Sequence, residues 1–140
     1  MWARREAAGE LMLGGRPAVD TDVAVPLDAV PDFLQMAGKN VAAADPGAEI
    51  FYISHLGDGN VHYTIYPTRD EAVLKEQITE AVEDAVAALG GSFSAEHGVG
   101  LAKRGTMGRR KDPVALDVMR AVKAALDPMG ILNPGKVLPD

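Results

Sequence analysis

The chain has 140 residues, of which 47% are apolar, so it is long and hydrophobic enough to form one domain with its own core. Its net charge of −6 argues against nucleic acid or an anionic membrane as the main partner. It has no cysteine, which excludes disulfides and thiolate metal sites. No secretory signal and no apolar run of roughly 20 residues occur, so we expect a cytoplasmic protein, with peripheral attachment at the inner membrane left open.

The first half of the chain alternates helical and strand patterns. A moderately periodic apolar pattern predicts a helix over residues 2–13. Valines that alternate with polar residues predict a strand over 18–25, and apolar residues three and four apart predict a helix over 28–39. β-branched and aromatic residues predict a strand over 48–55, and strict alternation predicts its partner over 60–66.

The second half begins with the most periodic helical segment of the chain. Thr68 and Glu71 match a capping box, and the apolar stripe from Leu74 to Leu89 predicts a helix that Gly90-Gly91 terminates. A short strand is predicted over 92–95.

Asp112-Pro113 is typical of a helix start, so a further helix is predicted over 114–126. We expect its apolar residues to point inward, namely Val118, Met119, Val122, Ala125 and Leu126. The order between residues 18 and 95 is then β-α-β-β-α-β. This order favours an α+β fold with a ferredoxin-like antiparallel sheet and helices packed on one face. A C-terminal helix and an irregular tail follow it.

The hairpin between the last two long strands carries two histidines. Asp58-Gly59 is a strong signal for a two-residue type I′ turn, and counting outward from it places His55 opposite His62. Two imidazoles on one face of a sheet can converge on one metal ion, with metal–nitrogen distances of roughly 2.0–2.1 Å for zinc. The alternative is a cross-strand histidine pair on an exposed face without a ligand.

A second stretch supplies the remaining histidine of the chain and a carboxylate, at Glu96-His97. If residues 92–95 join the sheet, Glu96 reaches His55 and His62, and the three form a set typical of catalytic metal sites. Because neighbours along most backbones face different ways, we expect Glu96 to bind the metal and His97 to act as general base. A local hydrogen bond that shapes the following glycine turn is the alternative for His97.

Three long motifs, in this order, resemble one family. They are His55-Leu-Gly-Asp-Gly-Asn-Val-His62, Ser94-Ala-Glu-His-Gly-Val-Gly100 and Leu126-Asp-Pro-Met-Gly-Ile-Leu-Asn-Pro-Gly-Lys136. The resemblance is to the C-terminal domain of FAD-linked oxidases of the D-lactate dehydrogenase, glycolate oxidase and D-2-hydroxyglutarate dehydrogenase type. It covers nearly the whole chain.

The resemblance implies that residues 1–140 form the substrate-binding cap domain of a flavoenzyme that oxidises a D-2-hydroxy acid to the 2-oxo acid. The N-terminal FAD-binding domain would lie outside this chain, so the chain alone is predicted to be inactive. The resemblance further implies that His55, His62 and Glu96 hold a divalent metal, usually zinc, and that His97 is the base. The electron acceptor stays open.

The resemblance also implies roles for three residues outside the metal cluster. Arg5 is a candidate clamp for the substrate carboxylate. Thr64, two residues after the second histidine of the hairpin, occupies a substrate-contact position where relatives have asparagine, and Asn133 is expected to contact the cofactor. Two rival functions remain: a stand-alone metal-dependent hydrolase and a non-catalytic metal-binding or dimerisation module. Formation of a homodimer is left open.

Overall fold

The computed structural model describes residues 15–55 and 57–139. These residues fall into two compact units, which divide between Glu96 and His97. The helix predicted over residues 2–13 and the candidate clamp Arg5 lie outside the described residues. Within the described ranges, no helix is long and apolar enough to cross a membrane.

The first unit is built on a three-stranded antiparallel sheet with two helices. Its strand order is β1-β3-β2, so the last strand of the hairpin lies in the centre. The α+β fold class is therefore confirmed. The elements are β1 (Val19–Ala24), a 3-10 turn (Leu27–Ala29), α1 (Val30–Ala44), β2 (Glu49–Ser54), β3 (Asn60–Tyr66) and α2 (Ala72–Ala88).

The core lies between one face of this sheet and the two helices. Val61, Tyr63 and Ile65 alternate along β3 and are at most 1% exposed, because they pack against the buried stripes of the helices. The ring of Phe33 in α1 meets the ring of Tyr63 edge to face, with centroids 5.5 Å apart. The alternate residues of β3, including His62, therefore point to the opposite face of the sheet.

The strand predicted over 92–95 is reduced to one isolated bridge. Ser92 pairs with Ala24 of β1 in the antiparallel sense, through backbone hydrogen bonds of 2.7 and 2.9 Å. The fourth strand of a ferredoxin-like sheet would lie at this edge, beside β1. A following N–H, that of Ala95, donates to the backbone oxygen of Asp22, so the chain stays close to β1 up to the candidate ligand Glu96.

The predicted two-residue turn of the hairpin is wrong. The observed register pairs Ile53 with His62 and Ser54 with Val61, so the pairing has slipped by two residues and the connection is longer. Asp58 still acts as a turn residue, because its carboxylate accepts the N–H of Asn60 at 3.0 Å. A slip of two residues leaves every side chain on its predicted face.

The predicted capping box at the start of α2 is also wrong. The residue before the helix is Glu71, and its side chain makes no capping hydrogen bond. The N–H and hydroxyl of Thr68 instead donate to the carboxylate of Asp45, at 2.7 and 2.8 Å. The hydrogen bond from the Thr68 N–H is the main reason that the pKa of Asp45 lies below its ordinary value. The predicted terminus of α2 is confirmed, with Gly90 at φ +67°.

The second unit contains α3 (Gly100–Arg110) and α4 (Pro113–Leu126). The predicted start of α4 is confirmed, since the Asp112 carboxylate accepts the N–H of Ala115 at 3.1 Å. The predicted inward face is wrong, because Val118, Val122 and Leu126 are 58%, 53% and 77% exposed. They line an open apolar groove of about 610 Å³ together with tail residues that include Leu132, Val137 and Leu138.

The irregular tail is organised by one carboxylate. Asp127, 7% exposed, accepts the N–H groups of Ile131 and Leu132 at 3.0 and 2.9 Å and pairs with the Lys123 ammonium. The pKa of Asp127 is lowered, first by the hydrogen bond from Lys123 and then by the backbone donors. This hydrogen bonding replaces the regular structure that the prolines and glycines of the tail prevent.

Candidate metal centre

The two hairpin histidines come together on the sheet face opposite the core. His62 lies in the middle of β3, and His55 follows the last residue of β2, where its N–H donates to the backbone oxygen of Asn60 at 2.9 Å. They are diagonal rather than direct cross-strand neighbours, because Ile53 occupies the position opposite His62. Their ring centroids are nevertheless 5.3 Å apart with an interplanar angle of 63°.

Glu96, which follows the isolated bridge at Ser92 in the chain, is the third member of this cluster. Its Oε1 lies 3.2 Å from Nε2 of His62. One ligand atom from each of His55, His62 and Glu96 lies within 4.8 Å of the other two. The side chains of His55, His62 and Glu96 are 40%, 25% and 45% exposed. A metal ion or a small molecule can therefore reach the cluster.

The donor set fits a divalent metal ion. Two imidazole nitrogens and one carboxylate oxygen are the ligands of many catalytic zinc sites, which keep a fourth position open. Tetrahedral zinc with bonds of about 2.0–2.2 Å requires donor atoms roughly 3.3 Å apart. The His62–Glu96 pair already has this spacing, whereas His55 must move inward by a rotation of its side chain. A hydrogen bond between His62 and Glu96 is the alternative explanation of their short contact.

Asp22 is a residue of this region that the sequence patterns did not single out. It lies on β1 directly opposite His62 and is 4% exposed. Its Oδ1 is 3.9 Å from Nδ1 of His62, and its carboxylate accepts the N–H groups of Ala95 and Glu96 at 3.2 and 3.3 Å. Its place among the polar residues of β1 was a signal in the sequence, but that pattern does not reveal that Asp22 lies opposite His62.

The other predicted site residues have varied environments. Thr64 lies on the same face of β3 as His62 and is 2% exposed. His97 is exposed and is the first residue of the second unit. Asn133 is exposed in the tail, where it adopts the left-handed conformation with φ +46° and lines the apolar groove. Their roles stay predictions.

Comparison with known proteins gives a consistent set of similarities. A family model described as "FAD linked oxidases, C-terminal domain" matches residues 1–137. The chain is 35% identical to a D-2-hydroxyglutarate dehydrogenase of Stutzerimonas stutzeri, with 98% of the chain and 30% of the relative covered. It is 38% identical to the mitochondrial D-2-hydroxyglutarate dehydrogenase of Bos taurus, with 99% of the chain and 25% of the relative covered.

A third relative is named for a different activity. The chain is 33% identical to a probable mitochondrial D-lactate dehydrogenase of Danio rerio, over 99% of the chain and 29% of the relative. The chain thus spans only about a quarter to a third of the length of these curated relatives. The family resemblance that the three motifs predicted is confirmed.

Proposed function

The chain belongs to the family of FAD-linked oxidase C-terminal domains, and we propose that it is the substrate- and metal-binding part of a flavoenzyme that oxidises a D-2-hydroxy acid to the 2-oxo acid. The observation that carries the proposal is the convergence of His55, His62 and Glu96, whose ligand atoms lie within 4.8 Å of one another. An N-terminal FAD-binding domain and an electron acceptor would complete the enzyme. The relatives named for D-2-hydroxyglutarate and D-lactate support this substrate class.

In this proposal His55, His62 and Glu96 hold a divalent metal ion, with zinc as the first candidate. A bound ion would supply Lewis-acid stabilisation of negative charge on the substrate hydroxyl oxygen. FAD, held by the other domain, would supply the acceptor for the hydride from C2. The two imidazoles bind the ion as neutral ligands and Glu96 as an anion, so the protein contributes one negative charge to the site.

The remaining predicted residues bind the substrate and move its proton. His97 accepts the proton of the hydroxyl group, for which an imidazole is suited near neutral pH. The guanidinium of Arg5 binds the substrate carboxylate through two parallel hydrogen bonds. The Thr64 hydroxyl donates or accepts a further hydrogen bond to the substrate. Asn133 contacts the flavin. These are the roles that the family resemblance implies for residues of this sequence.

Anaerobic flavin reduction tests the proposal directly. The protein that carries this chain together with its FAD-binding domain is mixed with matched D- and L-2-hydroxy acids, and loss of the oxidised-flavin absorbance is followed. We expect reduction by at least one D acid and none by its L enantiomer. Chelation should slow reduction, and zinc should restore it. Reduction that is insensitive to chelation would contradict the metal role, and no reduction by any D-2-hydroxy acid would contradict the substrate class.

His97→Gln provides a second readout. This variant should retain the metal and the flavin but reduce the flavin at least about 100-fold more slowly, because general base catalysis contributes roughly 10²–10⁴-fold. A rate within a factor of two of the parent would show that another group takes the proton.

A further inference from the structure

We propose that Asp22 is the positioning residue of this metal centre. Its carboxylate would orient the imidazole of His62 and, at the same time, anchor the backbone that presents Glu96. The inference rests on the proposed function, because it assumes that His62 and Glu96 are metal ligands. It adds a group that touches neither metal nor substrate and acts through both ligands.

The two ring nitrogens of His62 face different partners. Nε2 faces Oε1 of Glu96 at 3.2 Å, and Nδ1 faces Oδ1 of Asp22 at 3.9 Å. Nε2 is therefore the nitrogen available to the metal, and Nδ1 is left to carry the proton. A carboxylate that accepts the N–H of a metal-binding histidine fixes its tautomer and ring orientation and makes it a stronger ligand. The 3.9 Å separation is longer than a hydrogen bond, so the proposal requires it to shorten when the metal binds.

Asp22 also binds the backbone that leads to Glu96. The N–H groups of Ala95 and Glu96 both donate to the Asp22 carboxylate, at 3.2 and 3.3 Å, and the Ala95 N–H also lies 3.1 Å from the backbone oxygen of Asp22. Apart from the Ala95 hydrogen bond, the isolated bridge at Ser92 is the backbone pairing recorded between this segment and β1 in the described residues. The side chain of Asp22 therefore holds the backbone before Glu96 against β1, as a longer fourth strand would have done.

The carboxylate of Asp22 is buried. A carboxylate that is 4% exposed requires hydrogen-bond donors or a positive charge to offset its desolvation. The N–H groups of Ala95 and Glu96 are such donors, and a His62 ring held by a metal cation would place a positive charge beside the carboxylate. Asp20 on the same strand and the same face is exposed, and its cross-strand partner is Thr64 rather than His62. It is therefore a matched control.

Zinc titration of the 140-residue chain, followed by calorimetry, tests the proposal with Asp22→Asn and Asp20→Asn. Asparagine retains the size and one acceptor oxygen but removes the charge. We expect the zinc affinity to fall 10- to 100-fold in Asp22→Asn, the range found when outer-shell partners of metal ligands are removed. In Asp20→Asn it should change less than threefold. Equal affinities in the two variants would overturn the role of Asp22 and leave the metal site standing.

A spectroscopic readout separates positioning from a loss of folding. In the zinc-loaded parent, ¹⁵N NMR of the imidazoles should show that Nδ1 of His62 is protonated and Nε2 is bound to the metal. This measurement needs no variant, so a failure of Asp22→Asn to fold does not affect it. Zinc bound at Nδ1 would overturn the proposal. Absence of zinc binding by the parent chain would overturn it together with the proposed metal centre, an outcome that differs from the loss of the Asp22 effect alone.

Discussion

At the scale of single residues, His55 is the ligand whose removal tests the metal centre most cleanly. Its side chain is 40% exposed and lies outside the buried core, so His55→Ala should leave the fold intact. We expect zinc affinity to fall about 100-fold or more, because two donors cannot replace three. His97→Gln is the control, since it removes a histidine outside the ligand set. Equal metal content in His55→Ala and the parent would show that the cluster is not a metal site.

Asp45 makes a residue-scale prediction about acid stability. Its folded-state pKa is lowered, so its ionised form contributes stability at neutral pH, and the contribution is lost as the pH falls below about 4 through the folded pKa. Asp45→Asn should lower the free energy of unfolding at pH 7 by about 2 kcal/mol, the scale of hydrogen bonds to a charged acceptor. The difference should shrink at pH 3. Urea unfolding at both pH values measures it.

Asp28 is the matched control for Asp45, because it is an exposed aspartate on the 3-10 turn before α1. Asp28→Asn should change the free energy of unfolding little at either pH. A difference between parent and Asp45→Asn that stays constant from pH 7 to pH 3 would contradict the role assigned to the Asp45 charge.

At the scale of the elements, the hairpin loop depends on Gly59. Gly59 has φ +72°, and a Cβ added there would collide with the carbonyl oxygen of Val25. Gly57, in the same loop, has open space around the position of a Cβ. Gly59→Ala should therefore destabilise the chain by about 2 kcal/mol or more, whereas Gly57→Ala should cost less than about 1 kcal/mol. Equal melting temperatures of the two variants would contradict this packing of the loop.

The same hairpin shows which parts of the site could be predicted from sequence. Alternation along β3 separates His62 from the core face and does not depend on register. The Asp58-Gly59 signal placed the turn but not its length, and the error was two residues, so His55 and His62 stayed on one face. An error of one residue would have separated them.

Features that depend on non-local pairing could not be predicted. The ferredoxin-like fold implies that β1 lies beside β3, but Asp22 opposes His62 through the register of these two strands, which no local pattern encodes. Thr68 does not cap α2 because the helix begins at Ala72, and the N–H and hydroxyl of Thr68 instead donate to a carboxylate 23 residues earlier, Asp45. The apolar stripe of α4 predicted burial, but periodicity cannot tell which face finds a partner.

At the scale of the whole molecule, metal binding should be linked to folding. All three candidate ligands belong to the first unit, and a ligand that binds only the folded state stabilises it by mass action. At a free zinc concentration 100 times the dissociation constant, the free energy of unfolding of this unit should rise by about 2.7 kcal/mol. Slower hydrogen exchange of the β3 amides would report it. The same zinc concentration should leave hydrogen exchange in His55→Ala unchanged. A zinc-induced slowing of exchange in His55→Ala equal to that in the parent would contradict the linkage.

The chain should bind the metal but depend on another domain for the flavin. The chain spans 25–30% of the first two relatives, and flavin chemistry requires a domain that binds and orients the cofactor. The purified 140-residue chain should therefore bind zinc, bind no FAD in a fluorescence titration, and oxidise no D-2-hydroxy acid with an artificial electron acceptor. Hydrolysis of an ester or amide by the zinc-loaded chain, abolished in His55→Ala, would instead support a stand-alone hydrolase, since a metal-bound water is the nucleophile such a site can generate. Zinc binding without either activity, and without flavin reduction when the FAD-binding domain is present, would leave only a metal-binding module.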